Sequence, residues 1–400
     1  MEEVDPERML ADLATLRRFG AEGTGVARSA FSDADIAARR WLVAEIERIG
    51  LIASIDAAGN VFGLPPGDGP CLLLGSHSDS QPLGGWLDGV YGVAAALEVA
   101  RVALARQGPR VAVVSFQDEE GRFGALTGSA VWTGLRSLAE VDSMCDADGV
   151  PFAAARQRAG EIAALISPQP SDFTAFLELH IEQGPVLDRA GEAVGVVTSI
   201  VGSRQVTLHL VGEANHAGTT PMDARRDAFQ AVVALASRLN ADLAALAGPT
   251  TVWTIGQVML EPNAPSIVPG RARIAVQWRD PEPERLLALR EAVLRAAEEV
   301  ARDRGITLEV GDSSHLPPTA LDPDWIARLE AAAEQECPGR WRRLPSGALH
   351  DASNVATCLP TAMLFAASIR GISHSPEEDT APEDLALGLR TLARAVLGPD

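Results

Sequence analysis

An α/β fold carrying a smaller α+β module within it is what this 400-residue sequence predicts, on three observations. Short, continuous apolar runs alternate with helical patterns, the signature of a central sheet covered by helices. From residue 206 to 317 the chain changes character, with alternating strand patterns around two long amphipathic stretches. Beyond that segment the first pattern resumes, so residues 1–205 and 318–400 are expected to form one domain and 206–317 an inserted one.

In chain order, "DADIAARRWLVAEIERIG" places Ile36, Trp41, Leu42 and Ile46 on one helical face. "CLLLGS", "RVAVVSF", "FTAFLEL" and, far downstream, "TAMLFAAS" are too short for core helices and apolar enough for strands buried on both faces. "GVAAALEVARVALA" reads as a helix between the first two. In the insertion, "RQVTLHLVG" alternates, and the helix "ARRDAFQAVVALASRLNADLAAL" follows. "TVWTIGQVML" and "RARIAVQWRD" come next as strands, and "PERLLALREAVLRAAEEVARDRG" closes as a helix, giving a β-α-β-β-α order.

Composition removes several functions. A formal charge of −20 argues against nucleic acid or an anionic membrane as partner. All 34 basic residues are arginine, which excludes any mechanism built on a catalytic lysine. Cys71, Cys145, Cys337 and Cys358 have neither zinc-finger spacing nor the density of a disulfide framework. The N-terminus "MEEVDPERML" lacks an apolar targeting core, and no run of about 18 apolar residues follows, so a soluble cytoplasmic protein is expected.

The charged residues that stand out follow the apolar runs. His77 and Asp79 follow "CLLLGS", Glu119 and Glu120 follow "RVAVVSFQD", His180 closes "FLEL", and His374 lies just past "TAMLFAAS". In open α/β sheets the carboxyl edge of the strands is where ligand sites form. Histidine and carboxylate without thiolate suit zinc, manganese, cobalt or nickel. Three histidines and two carboxylates exceed the needs of one ion with an open position, so two ions sharing a carboxylate fit better.

The motifs "GSHSDSQPLGGWLDGVYGV", "DEEGRFG", "ELHIEQGPVLD", "GEANHAGTTPM" and "GISHSPEE" occur in the order found in the amidase/hydantoinase/carbamoylase family of dinuclear metallohydrolases, which the chain resembles over nearly its whole length. That family includes N-carbamoyl-L-amino-acid hydrolases, β-ureidopropionases and allantoate amidohydrolases, and is related to aminoacylases. The resemblance implies a zinc-peptidase-like catalytic domain with a central mixed sheet and an inserted α+β lid that mediates homodimerisation. It also implies two divalent ions per subunit. His77, Asp88 and His180 would hold one, Glu120, His374 and the same Asp88 the other, with Asp79 orienting His77.

By the same resemblance Glu119 is the general base, taking the proton of a metal-acidified water and passing it to the leaving nitrogen. His216 would stabilise the tetrahedral oxyanion from the neighbouring subunit. Arg279 would clamp a substrate carboxylate, and Gln183 would line the site. Two departures stand out. "DEEGRFG" is shorter by one residue between glycine and arginine, and Ser266 stands thirteen residues before Arg279, where carbamoylases place an asparagine. A cis Asp88–Gly89 bond is a further family expectation. His350 has no role by this reading, and His209 and His315 read as structural.

The expected activity is hydrolysis of the ureido C–N bond of an N-carbamoyl amino acid, a small substrate with a carboxylate. An allantoate-type or N-acyl-amino-acid amidohydrolase is the alternative within enzymes. A non-catalytic binding protein on the same fold is the alternative outside them, and the retained Glu119 speaks against it.

Overall fold

The four apolar runs that precede the candidate residues form neighbouring parallel strands, in the spatial order Val111–Phe116, Cys71–His77, Phe173–Ile181, Thr361–Ala366. The structure is a computed structural model and describes residues 3–398. Antiparallel strands Val61–Leu64 and Ile52–Ile55 extend one side of this core and Val194–Ile200 the other, within a nine-stranded mixed sheet. Every residue of Val111–Phe116 and of Thr361–Ala366 is buried, which is why these runs are apolar without alternation. Each fully buried leucine, such as Leu73 or Leu74, contributes roughly 1.5–3 kcal/mol relative to exposure.

Helix Val90–Ala105 is apolar on all sides and buried along nearly its whole length, packing on Cys71–His77 and Val111–Phe116. Gly92 lets it approach, because a Cβ there would lie 2.3 Å from the Leu179 carbonyl oxygen. Parallel pairing sets His77 opposite Phe116 and His180 opposite Phe365, so the strands end along one edge.

Helix Asp33–Arg48 is capped by Ser32, whose hydroxyl accepts from the Asp35 amide at 3.2 Å. Trp41 is only half-buried, and the inward positions are taken instead by Asp35 and Arg39, an ion pair of 2.9 Å with both side chains fully buried. Among the described residues no helix is long and apolar enough to cross a membrane.

The chain divides into two compact units, one running to Thr198 and resuming at Ala320, the other Ser199–Thr319. The second holds an antiparallel sheet in the order Val252–Glu261, Arg271–Asp280, Gly202–Val211, Thr307–Leu316. Helices Ala228–Leu246 and Pro283–Asp303 pack on one face of it around Leu208, Ile274, Trp278, Leu235 and Leu289. Strand Thr307–Leu316 extends the expected β-α-β-β-α order. It is exposed at most positions, so it lacks the alternation that marks a half-buried strand. The first helix begins at Ala228 rather than 224, because the Asp227 carboxylate accepts from the Phe229 and Gln230 amides and caps it there.

Candidate functional site

His77 ends its strand with 1% exposure, and the chain returns to it through Asp88 and Gly89. Gly89 has φ +67°, and a Cβ on it would lie 2.3 Å from His77 Nε2, so only glycine lets the start of the next helix press on the imidazole. The Val90 amide donates to the Asp88 carbonyl at 2.7 Å, closing a γ-turn. The expected cis Asp88–Gly89 bond is therefore corrected: this bond is trans, and the dihedrals of Gly89 make the reversal.

The two oxygens of Asp88 face different groups. Oδ1 lies 3.0 Å from His180 Nε2 and 3.5 Å from His77 Nε2, while Oδ2 lies 3.3 Å from His374 Nε2. Oδ2 also accepts from Gln183 Nε2 at 2.9 Å and from the Ser373 hydroxyl at 3.2 Å. Burial opposes charge on Asp88, but the hydrogen bonds with His180, His374 and His77 outweigh it and hold the carboxyl well below its usual range. Each buried ring is oriented by a main-chain oxygen at Nδ1, Asp79 O at 3.1 Å for His77 and Ile181 O at 2.9 Å for His180. The Gly89 amide also lies 3.1 Å from His180 Nε2.

Glu119 and Glu120 sit on the turn after Val111–Phe116. Asp118, at φ +57°, accepts from the amides of Phe123 and Gly124 and from the Thr127 hydroxyl, which folds "DEEGRFG" tightly back. The Asp79 carboxylate, 3.7 Å from His77 Nδ1, accepts from the amides of Glu119 and Glu120 at 3.4 and 3.2 Å. One aspartate thus ties the His77 loop to the glutamate pair. Glu119 is 9% exposed with Oε2 3.7 Å from His77 Nε2, and burial raises its carboxyl well above the usual value against the pull of His77. Glu120 Oε2 accepts from Gln81 Nε2 at 2.6 Å and lies 3.4 Å from His374 Nε2. His374, half-exposed and at φ +55°, is held up at about 9 by its hydrogen bond with Asp88 and, after burial's opposing effect, by the Glu120 charge.

Two sets of potential ligands emerge, His77–Asp88–His180 and Asp88–Glu120–His374, each with its ligand atoms within 4.8 Å of one another. They share Asp88 through opposite oxygens, which is what a bridging carboxylate requires, and their nitrogen and oxygen donors suit divalent transition metals. Glu178, His180 and His350 form a further group. Burial and then neighbouring His180 push His350 well below its usual value, its Nε2 lies 2.9 Å from the Ser346 hydroxyl, and its ring stacks edge-on to His180 at 4.6 Å.

His216, Ser266 and Arg279 belong to the other unit. His216 lies on the exposed strand Asn215–His216, paired with Ile267–Val268, and its Nδ1 accepts from the Gly218 amide at 3.0 Å. Ser266 adjoins it, its carbonyl accepting from the Ala217 amide at 2.9 Å. Arg279 is half-buried on the sheet face opposite the helices, with Nε donating to Gln277 Oε1 at 3.4 Å. Its neighbour Asp280 is engaged by Arg285 and Thr251.

Sequence reasoning passed over Gln81, Glu378, Arg28 and Arg39. The first two lie inside the quoted motifs and differ from their neighbours only in what they touch. Arg39 donates to the carbonyls of Gly59, Ser115 and Phe116, bracing the strand end before Glu119, and Arg28 donates to Ser78 O at 2.6 Å just after His77. The i,i+4 spacing of Asp35 and Arg39 within an apolar stripe was the available signal.

The model for peptidase family M20/M25/M40 matches residues 73–398. The chain is 35% identical over 413 residues to an N-carbamoyl-L-amino-acid amidohydrolase of Paenarthrobacter aurescens, covering 100% of this chain and 99% of that one. It is 34% identical over 392 residues to allantoate amidohydrolase of Escherichia coli (strain K12), with 95% of each covered. The crystal structure of an amidase of the hydantoinase/carbamoylase family from Burkholderia phymatum superposes with a TM-score of 0.91 at 40% identity, covering 98% of this chain and 97% of that one.

Proposed function

The chain belongs to peptidase family M20/M25/M40, and on that premise we propose that it is a metal-dependent amidohydrolase that cleaves the ureido C–N bond of an N-carbamoyl amino acid, releasing the amino acid, ammonia and carbon dioxide. The observation that carries this reading is the division of Asp88, whose two oxygens each serve a separate set of nitrogen and oxygen donors.

In this reading His77, Asp88 and His180 hold one divalent ion, and Asp88, Glu120 and His374 hold another. When bound, the ions polarise the scissile carbonyl and acidify water to a nucleophile at neutral pH. Glu119, buried with Oε2 3.7 Å from His77 Nε2, takes the proton of the attacking water and passes it to the leaving nitrogen. Asp79 keeps Glu119 and Glu120 in register with His77 through the two amides. Arg279 pairs with the substrate carboxylate, Gln183 and Ser266 line the substrate, and His216 stabilises the oxyanion from the partner in a homodimer joined through Ser199–Thr319 acting as lid. Four free cysteines with no disulfide framework fit the reading of a soluble cytoplasmic enzyme.

An allantoate-type activity is the second reading. The similarity to the Escherichia coli enzyme favours it, and Ser266, at the position where carbamoylases have asparagine, removes one feature that would tie the pocket to N-carbamoyl substrates. Turnover of N-carbamoyl, N-acetyl and N-formyl amino acids and of allantoate, each measured with added manganese, zinc, cobalt or nickel, separates the readings. Preference for N-carbamoyl amino acids supports the first, preference for allantoate moves the assignment to the second, and no turnover of any with any ion refutes both.

A further inference from the structure

Asp88 and His374 come from loops far apart in the chain, yet their side chains meet. One buried side chain connects the two loops. Glu378, 2% exposed, accepts with Oε1 from the amides of Leu87 and Asp88 at 3.1 and 3.0 Å, and its Oε2 accepts from the Ser373 hydroxyl at 3.1 Å. Ser373 directly precedes His374, and its hydroxyl also reaches Asp88 Oδ2 at 3.2 Å. Room for the carboxylate is made by Gly85, where a Cβ would fall 1.9 Å from Glu378 Cδ. Two main-chain amides aimed at one carboxylate oxygen fix the backbone of Asp88, and so fix how each of its oxygens is presented.

We propose that Glu378 is a positioning residue that clamps the Asp88 turn to the His374 loop and thereby sets the affinity of the ion held by Asp88, Glu120 and His374. This rests on the two-ion reading above. The His77–Asp88–His180 set has its own supports, the Asp79 and Ile181 carbonyls that orient the two rings at Nδ1, and depends less on Glu378. Groups that orient metal ligands in this way change affinity by about 10–100-fold when removed.

The test is calorimetric titration of the chelated full-length protein with manganese or zinc, with ion content after dialysis read by mass spectrometry. Wild type is expected to take two ions per chain, and Glu120→Ala identifies which binding step belongs to the second set. Glu378→Ala should weaken that step about 10–100-fold and leave the other within a few-fold, while Glu378→Gln, which can still accept both amides, should restore most of it. Equal weakening of both steps would mark Glu378 as merely structural and overturn the proposal, as would an unchanged second step. If Glu378→Ala fails to fold, Ser373→Ala decides, since it cuts the link to the His374 loop and leaves Glu378 accepting from the Leu87 and Asp88 amides: a second step at wild-type affinity overturns the proposal. Wild type that takes fewer than two ions overturns the two-ion reading itself, and the proposal with it.

Discussion

At the scale of single residues, the contrast between Glu119 and Glu120 carries the proposed chemistry. Adjacent in sequence, they face His77 and His374 respectively. Glu119→Gln is expected to retain both ions by mass spectrometry and lose at least about 10²–10⁴ in turnover, as loss of a proton carrier should. Near-normal turnover would assign the base elsewhere. His374 supplies a pH dependence. Its value of about 9 means that the ring is protonated below that pH, and a metal accepts only the neutral ring, so binding must displace the proton. Affinity of the ion at Asp88, Glu120 and His374 should therefore fall as pH drops below about 9, by up to about tenfold per unit, with proton release visible by calorimetry in buffers of different ionisation enthalpy. Affinity flat from pH 9 to about 6 would remove His374 from the ligand set. Gly89→Ala should fail to build the site at all, since its Cβ would strike His77.

At the scale of elements, the buried pair Asp35–Arg39 on helix Asp33–Arg48 braces the strand that leads to the glutamates. Arg39→Met leaves the Asp35 carboxylate buried without its ion partner, held only by the Phe31 amide and Gln117, a change that costs about 3–5 kcal/mol, to be read from urea denaturation; a loss within about 1 kcal/mol would mean that the helix relaxes around the gap. The same helix shows where sequence reading reached its limit. Its extent was legible from periodicity, but the pattern counted Trp41 inward and was blind to a charged pair in an apolar stripe. The buried strands were legible because their runs are apolar throughout, whereas Thr307–Leu316 was not, since an exposed edge strand carries no pattern. For the site, His77, Asp79, Glu119, Glu120, His180 and His374 were legible as charges at strand ends, and family motifs added Asp88 and Gln183. The hydrogen bonds of Gln81, Glu378 and the Asp79 carboxylate depend on long-range packing that no local pattern encodes.

At the scale of the whole molecule, the placement of His216 on a different unit from the metal-ligand candidates makes a shared site testable. If the chain forms the proposed homodimer, the His216→Ala and Glu119→Ala proteins should each be inactive, and a mixed dimer assembled from the two should regain activity if His216 acts across the interface. Tag-verified mixed dimers no more active than their parents would show that His216 acts within its own chain or not at all. The parallel order of the central sheet has one further consequence, and it concerns time. The strand pairing that brings His374 to Asp88 joins Phe173–Ile181 to Thr361–Ala366, with Cys71–His77 on the other side of Phe173–Ile181. Closing such long loops makes folding slow, because their entropy is lost before any contact rewards it. A nascent chain on the ribosome therefore cannot complete the second donor set until its final strand has emerged. Uptake of the ion at Asp88, Glu120 and His374 during refolding should lag behind the gain of helical circular dichroism, so that capture of this second ion marks the end of folding rather than its beginning.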